Sequence, residues 1–195
     1  MLATGNRGKV VELAALLGGS GLTVELIAQS DLNVPAAPEP APTFVENALL
    51  KARHAARLTG LPAIADDSGL VVDALRGAPG VLSARFAGPD ADDQANVNKL
   101  LAALAGTPAS QRTARFHCVL VALRHPDDAA PEIATGEWSG EIALAPRGEH
   151  GFGYDPVFLD PVLGKTAAEL APTEKNRVSH RGAALRRLVD LFKKR

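Results

Sequence analysis

The chain has 195 residues, 46% of them hydrophobic and only 4% aromatic, so one core built chiefly of Ala, Leu and Val is within reach and no linker stands out by composition. Its 21 basic and 22 acidic residues leave a net charge of −1, which excludes a grip on nucleic acid or membrane through overall charge; an anionic ligand must meet a local cluster. Cys118 is the only cysteine, a small residue in an apolar run, so no intrachain disulfide forms; with no run near the roughly 18 apolar residues of a membrane span and no signal pattern, a cytoplasmic protein is expected.

Met1, Leu2 and Ala3 end a short strand before Thr4-Gly5-Asn6-Arg7-Gly8-Lys9. Val10, Leu13, Ala14 and Leu17 recur at i, i+3, i+4 and i+7, which predicts a helix closed by Gly18-Gly19. A polar, glycine-bearing turn from strand to helix offers backbone N–H groups where phosphate binds well, and Lys9 adds a full charge. This is not a Walker A loop, because only Asn6 and Arg7 separate Gly5 from Gly8-Lys9 and no Ser or Thr follows the lysine. Two readings stand: a phosphate cradle, or an ordinary turn with a solvated lysine.

Thr23 to Ala28 alternates well enough for a strand, and Pro35, Pro38, Pro40 and Pro42 force an extended loop that carries Glu39. Thr43 and Glu46 form a capping box for a helix running through Leu49, Ala52 and Ala56 to Gly60. Lys51 lies on that helix, either solvated or part of a site. The stretch Ala63 to Gly69, AIADDSG, then ends an apolar run at two carboxylates, a hydroxyl and a glycine. Alternation sends Asp66 and Asp67 to opposite faces, so one can enter a cleft while the other braces the loop. The pair is a metal or general-base site, or else a strand-end turn.

Leu70 to Leu75 reads as a strand, Gly77 to Gly88 as a loop holding Arg85 and Phe86, and Asp92 as the cap of a helix reaching Leu104. Ala114 to Arg124 is a strong strand, and Glu132 to Ser139 with Glu141 to Leu144 look like a pair joined at Gly140. These elements predict a mixed sheet with helices on its faces. In Gly151-Phe152-Gly153-Tyr154-Asp155-Pro156, an aromatic between glycines can stack on a base, worth about 1–3 kcal/mol, or plug the fold. Thr166 and Glu169 form a capping box for a short helix ended by Pro172, and Ser179 caps a last helix with the stripe Leu185, Leu188, Val189 and Phe192. Lys175, His180 and Arg181 precede or begin it and read singly as surface residues, while Lys193, Lys194 and Arg195 suit its C-terminus.

Taken in order, TGNRGK, TFVENALLKA, AIADDSGLVVDAL, GVLSARFAG, FGYDPVF, GKTAAEL and EKNRVSHRG resemble the non-canonical purine nucleoside triphosphate pyrophosphatases, the inosine/xanthosine triphosphatase family, over essentially the whole chain. The resemblance implies one domain over residues 1–195, an elongated mixed α/β fold of two lobes around a central cleft, and a homodimer. It implies magnesium-dependent cleavage of ITP, dITP or XTP to the monophosphate and pyrophosphate, cleansing the nucleotide pool. It also assigns residues. Thr4, Gly5, Asn6, Arg7, Gly8 and Lys9 would cradle phosphate, with Lys51 reaching the triphosphate. Asp67 would be the proton acceptor and magnesium partner, Glu39 the second acidic residue at the metal, and Ser68 a substrate contact. Phe152 would cover the base, with Gly153, Tyr154 and Asp155 completing that wall, while Lys175, His180 and Arg181 hold and read the base from the other side. Arg85 falls in a family motif without an assigned role.

Two departures from the family pattern stand out. Only Met1 and Leu2 precede Ala3, where the family has several apolar residues, and Pro40, Ala41 and Pro42 follow Glu39, where it shows a Glu-Thr-Gly-like run. Among other readings, a pyrimidine triphosphate pyrophosphatase is opposed by FGYDP and SHRG, and a nucleotide sensor without turnover by the intact Asp66-Asp67 pair. An RNA-binding protein is opposed by the net charge of −1.

Overall fold

The computed structural model describes residues 1–21 and 25–194, except for the side chain of Arg7. Strand β1 (Leu2–Ala3) runs into α1 (Arg7–Gly18), where the Asn6 side chain accepts the Lys9 N–H and so caps the first turn. Helix α2 (Phe44–Thr59) opens on Thr43, whose hydroxyl accepts from Glu46 N–H as its capping box predicts, and closes at Gly60. Then follow β2 (Ala63–Val72), α3 (Asp93–Ala103) capped by Asp92, β3 (Thr113–Leu123) and β4 (Glu132–Ile142). Strands β5 (Phe158–Asp160) and β6 (Lys165–Thr166) precede α4 (Pro172–Val178) and α5 (His180–Lys193). The sheet has six strands in sequence order, β1 to β6. β1 lies parallel to β2, with Leu2 beside Ile64, and the β4–β5 and β5–β6 pairs are antiparallel, so the sheet is mixed as its elements predict.

The chain divides into two compact units, each with its own core. The first comprises Met1–Asp67, Cys118–Gly136 and His180–Arg195. Leu2, Leu13, Leu17, Leu120, Leu185 and Leu188 pack there, and an alanine-rich layer of Ala48, Ala52, Ala55 and Ala56 lets α2 approach β1 and β2 closely. Cys118 is fully buried in this core, and burial pushes its thiol well above the usual range, so it stays neutral. The second unit, Ser68–His117 and Glu137–Ser179, packs Phe116, Trp138 and Phe158 in tilted and edge-on contact, ring centroids 4.4 and 5.0 Å apart at Phe158. Those rings anchor the chain just beyond the FGYDP loop.

Several sequence expectations are corrected. AIADDSG does not end a strand: β2 runs through it from Ala63 to Val72, because Asp66 and Asp67 find cationic partners far along the chain. Leu70 to Leu75 is therefore no separate strand, and Asp73–Leu75 is a 3₁₀ turn. Glu132 to Leu144 is no hairpin either. β4 passes straight through Gly140, where a Cβ would come within 2.5 Å of the Leu159 carbonyl oxygen and 2.6 Å of Phe158 Cζ; the glycine marks close backbone approach. Thr166 and Glu169 do form a capping box, over the 3₁₀ turn Ala167–Glu169, but Pro172 opens α4 rather than ending a helix, since its missing N–H costs nothing in a first turn. Of the expected Thr23 to Ala28 strand, Thr23 and Val24 lie outside the described residues, and Ala28 makes only an isolated bridge to Leu2. Arg195 also lies outside them.

Candidate active site

Pleating of β2 sends its two adjacent aspartates to different helices. Asp66 meets Lys9 of α1, with Nζ 3.1 Å from Oδ2, and Arg181 of α5, with Nε 3.8 Å from the same oxygen. Arg181 is held from its other side by Glu12, Nη1 to Oε2 2.7 Å. Asp67 meets Lys51 of α2, Nζ to Oδ1 2.8 Å, and the same ammonium lies 3.1 Å from Glu39. Two chains of charge result, Glu12–Arg181–Asp66–Lys9 and Glu39–Lys51–Asp67. Lys9 and Lys51 are thus not solvated, their side chains being 14% and 11% exposed. His180 and Arg181 are not surface residues either, at 2% and 5% exposed.

The two aspartates are driven apart in acidity. Burial disfavours charge on Asp66, but Lys9, Arg181 and Lys51 together outweigh it and hold the carboxyl down to about 2. At Asp67 burial wins over Lys51, and its pKa rises above the ordinary aspartate value. Lys51 itself is pushed up, because Asp66, Asp67 and Glu39 outweigh the burial of its ammonium. Adjacent carboxyls with diverging acidity are the arrangement in which one stays a fixed charge and the other exchanges a proton. Asp66 fits the first role and Asp67 the second. Asp67 also keeps Oδ2 buried and without a hydrogen bond among the described residues.

That oxygen bears on metal binding. Among the described residues no group of three or more His, Cys, Asp or Glu side chains could cage a metal. Mg²⁺ rarely asks for a protein cage; it is held by one or two carboxylates and the phosphates of its substrate. Asp67 with its unbonded oxygen, and Glu39 reaching the same lysine, are a donor set of that kind.

Thr4 is nearly buried and its Oγ1 accepts the Asn6 N–H at 3.2 Å, while Gly5 and Asn6 are exposed. Gly5 has no protein atom within 4 Å of where a Cβ would sit. The fold itself leaves open space at that position. Gly8 lies in the first turn of α1; the Arg7 side chain lies outside the described residues.

Ser68 and the FGYDP loop belong to the second unit. Ser68 is half-buried on β2. Phe152 is also half-buried, with Lys175 Nζ 5.2 Å from its ring centroid. Lys175 is no surface residue: it is 4% exposed and its ammonium is 2.6 Å from Asp155 Oδ2, an oxygen that also accepts the Phe152 N–H at 2.9 Å. Tyr154 turns into the core and donates to the Ser83 carbonyl at 2.9 Å; burial, then the nearby Asp93, raises its pKa. Tyr154 and Asp155 therefore build the loop from inside, leaving Phe152 and Gly153 as its partly open face.

Two residues of these clusters, Glu12 and Asp93, were not singled out in the sequence. Glu12 stands at i+3 from Lys9, so helical spacing alone places it on the same face. Asp66 is named in the sequence as half of the Asp66-Asp67 pair, but its cations, Lys9 and Arg181, are remote in sequence. Asp93 accepts the Gly153 N–H at 2.6 Å across sixty positions and left no local signal.

Whole-chain relationships give the family. Residues 1–191 match the Ham1 family. The chain is 60% identical over 193 residues to the dITP/XTP pyrophosphatase of Yersinia pseudotuberculosis, covering 99% of this chain and 97% of that protein, and 58% identical, with the same coverage, to the dITP/XTP pyrophosphatase of Escherichia coli strain K12. A solved HAM1 protein from Coxiella burnetii superposes with a TM-score of 0.91 at 49% identity, covering 100% of this chain and 98% of that one. A nucleoside-triphosphatase / dITP/XTP pyrophosphatase from Mycobacterium abscessus gives 0.75 at 45% identity, covering 96% of each chain. The mixed α/β fold is that of the solved HAM1 proteins. This chain belongs to the Ham1 family.

Proposed function

We propose that this protein is a nucleoside triphosphate pyrophosphatase that hydrolyses non-canonical purine nucleotides, ITP, dITP and XTP, to the monophosphate and pyrophosphate, and so cleanses the nucleotide pool. The observation that carries the chemistry is the Asp66–Asp67 pair, with one carboxyl pinned as an anion and its neighbour raised towards proton exchange. Its relatives' names supply the substrate class.

The Thr4 to Lys9 turn and Lys51 take the triphosphate. Thr4, Gly5, Asn6, Arg7 and Gly8 offer backbone at a helix N-terminus, and Lys9 and Lys51 are cations already held in place, so little reorganisation accompanies charge development. Asp67 accepts the proton of the attacking water. Asp67 and Glu39 would hold Mg²⁺ together with substrate phosphates, and the cation would supply charge neutralisation there. In the second unit Phe152 and Gly153 form the face for the base, shaped by Tyr154, Asp155 and Lys175, and Ser68 contacts the substrate. His180 and Arg181 read the base; the Glu12 and Asp66 contacts support Arg181 as a fixed rather than a searching donor. Hypoxanthine and xanthine present an acceptor oxygen at position 6 where adenine presents an amino donor, so fixed donors reject ATP by leaving buried polar groups unpaired.

We further propose a cytoplasmic homodimer, to be read from the mass in solution by light scattering. No helix among the described residues is long and apolar enough to cross a membrane. The experiment on function is a panel of ITP, XTP, dITP, GTP, ATP, dTTP and UTP with Mg²⁺, followed for pyrophosphate and orthophosphate. Pyrophosphate release confined to the first three supports the reading. Equal turnover of ATP or UTP would reject it.

A further inference from the structure

We propose that Asp93, the first residue of α3, is a positioning residue for the Phe152 face, an inference that rests on Phe152 meeting the base. The aromatic loop is tied inside its unit in three places. Tyr154 plugs the core and bonds Ser83. Asp155 accepts both the Phe152 N–H and the Lys175 ammonium. Asp93 Oδ2 accepts the Gly153 N–H at 2.6 Å, a hydrogen bond to a carboxylate.

Two successive N–H groups, those of Phe152 and Gly153, thus end on two carboxylates, one buried and one exposed. The Phe152 ring springs from the backbone between them, so its direction depends on both. Gly153 holds φ +62°, a turn that glycine adopts at low cost. Without Asp93 the core plug and the buried ion pair keep the loop attached, but the ring samples more directions. Each binding event must then order it, which weakens affinity for the base without touching the phosphate chemistry.

Asp93 also favours the N-terminus of α3 through its charge, which is the purely structural alternative. Asp93→Asn separates the two roles, because it removes the charge and keeps an acceptor oxygen. The test measures kcat and KM for ITP, and inhibition by IMP, which carries the base, and by pyrophosphate, which does not. Asp93→Ala is expected to raise KM and weaken IMP inhibition on the order of tenfold, the effect of one hydrogen bond to a charged acceptor, with kcat and pyrophosphate inhibition unchanged. Asp93→Asn should restore most of the loss. If both variants lower the unfolding midpoint alike while the IMP to pyrophosphate inhibition ratio stays as in the parent, the proposal is overturned. Phe152→Ala guards the premise: if it leaves IMP inhibition unchanged, the base reading fails and the proposal with it. If Phe152→Ala weakens IMP and Asp93→Ala does not, the positioning role alone is rejected.

Discussion

Asp66 and Asp67 are chemically identical neighbours with opposite fates, and substitution should expose the difference. Asp67→Asn keeps shape and removes a proton acceptor, so kcat should fall by about 10²-fold or more, the scale of general-base loss, in a protein whose unfolding midpoint barely moves. Near-normal turnover in that folded variant would remove Asp67 from the chemistry. Asp66→Asn should do the reverse first, taking the carboxylate charge away from Lys9 and from Arg181, which keeps Glu12, and costing about 3–5 kcal/mol of stability. Acid titration offers an independent check. Folded Asp66 binds its proton more weakly than an ordinary aspartate, so its contribution to stability is complete above pH 3.8 and drains away as the pH falls towards about 2. Chemical denaturation across that window should show a slope that Asp66→Asn lacks. Asp67, raised by burial, behaves oppositely: its ionisation opposes folding, and the acidic limb of kcat/KM should lie above the ordinary aspartate value.

At the scale of elements, two glycines divide structural need from functional need. Gly140→Ala in β4 drives a methyl group into Leu159 and Phe158 and should destabilise by about 1–3 kcal/mol through overpacking. Gly5→Ala, in the turn between β1 and α1, meets no protein atom, so stability should hold while kcat/KM for ITP drops. Calorimetry beside kinetics on the two variants decides, and unchanged kinetics in Gly5→Ala would place the phosphates elsewhere. What the sequence reveals follows the range of the interactions. Thr43 with Glu46, Asp92 with Ala95, and the Leu185 to Phe192 stripe are contacts a few residues apart, and these helix starts and faces were legible. AIADDSG was misread as a strand end because Asp, Ser and Gly favour turns locally, while the cations that let them sit in β2 come from Lys9, Lys51 and Arg181. Gly140 was misread for the same reason, its requirement coming from Phe158 on the next strand. The site residues were named through order and spacing of motifs. That Lys175 is bound to Asp155, or Arg181 to Glu12, needed the fold.

For the molecule as a whole, a chain of net charge −1 must meet a polyanion through local cations, and on the proposed reading Lys9 and Lys51 of the first unit do so beside carboxylates that Mg²⁺ would offset. Charge near the phosphates should therefore matter for ITP and little for inosine. Lys9→Ala and Lys51→Ala should weaken ITP binding and turnover while leaving inosine affinity unchanged, measured by calorimetric titration; equal losses for both would put these lysines away from the triphosphate. Chelation with EDTA should abolish turnover and Mg²⁺ restore it. The most direct measurement of the central claim resolves the first products. Purified protein is mixed with ITP and Mg²⁺, quenched within the first few turnovers and separated by anion exchange. Pyrophosphate and IMP in equal amounts, with neither IDP nor orthophosphate, are the expected result. IDP and orthophosphate appearing together from the outset would contradict it.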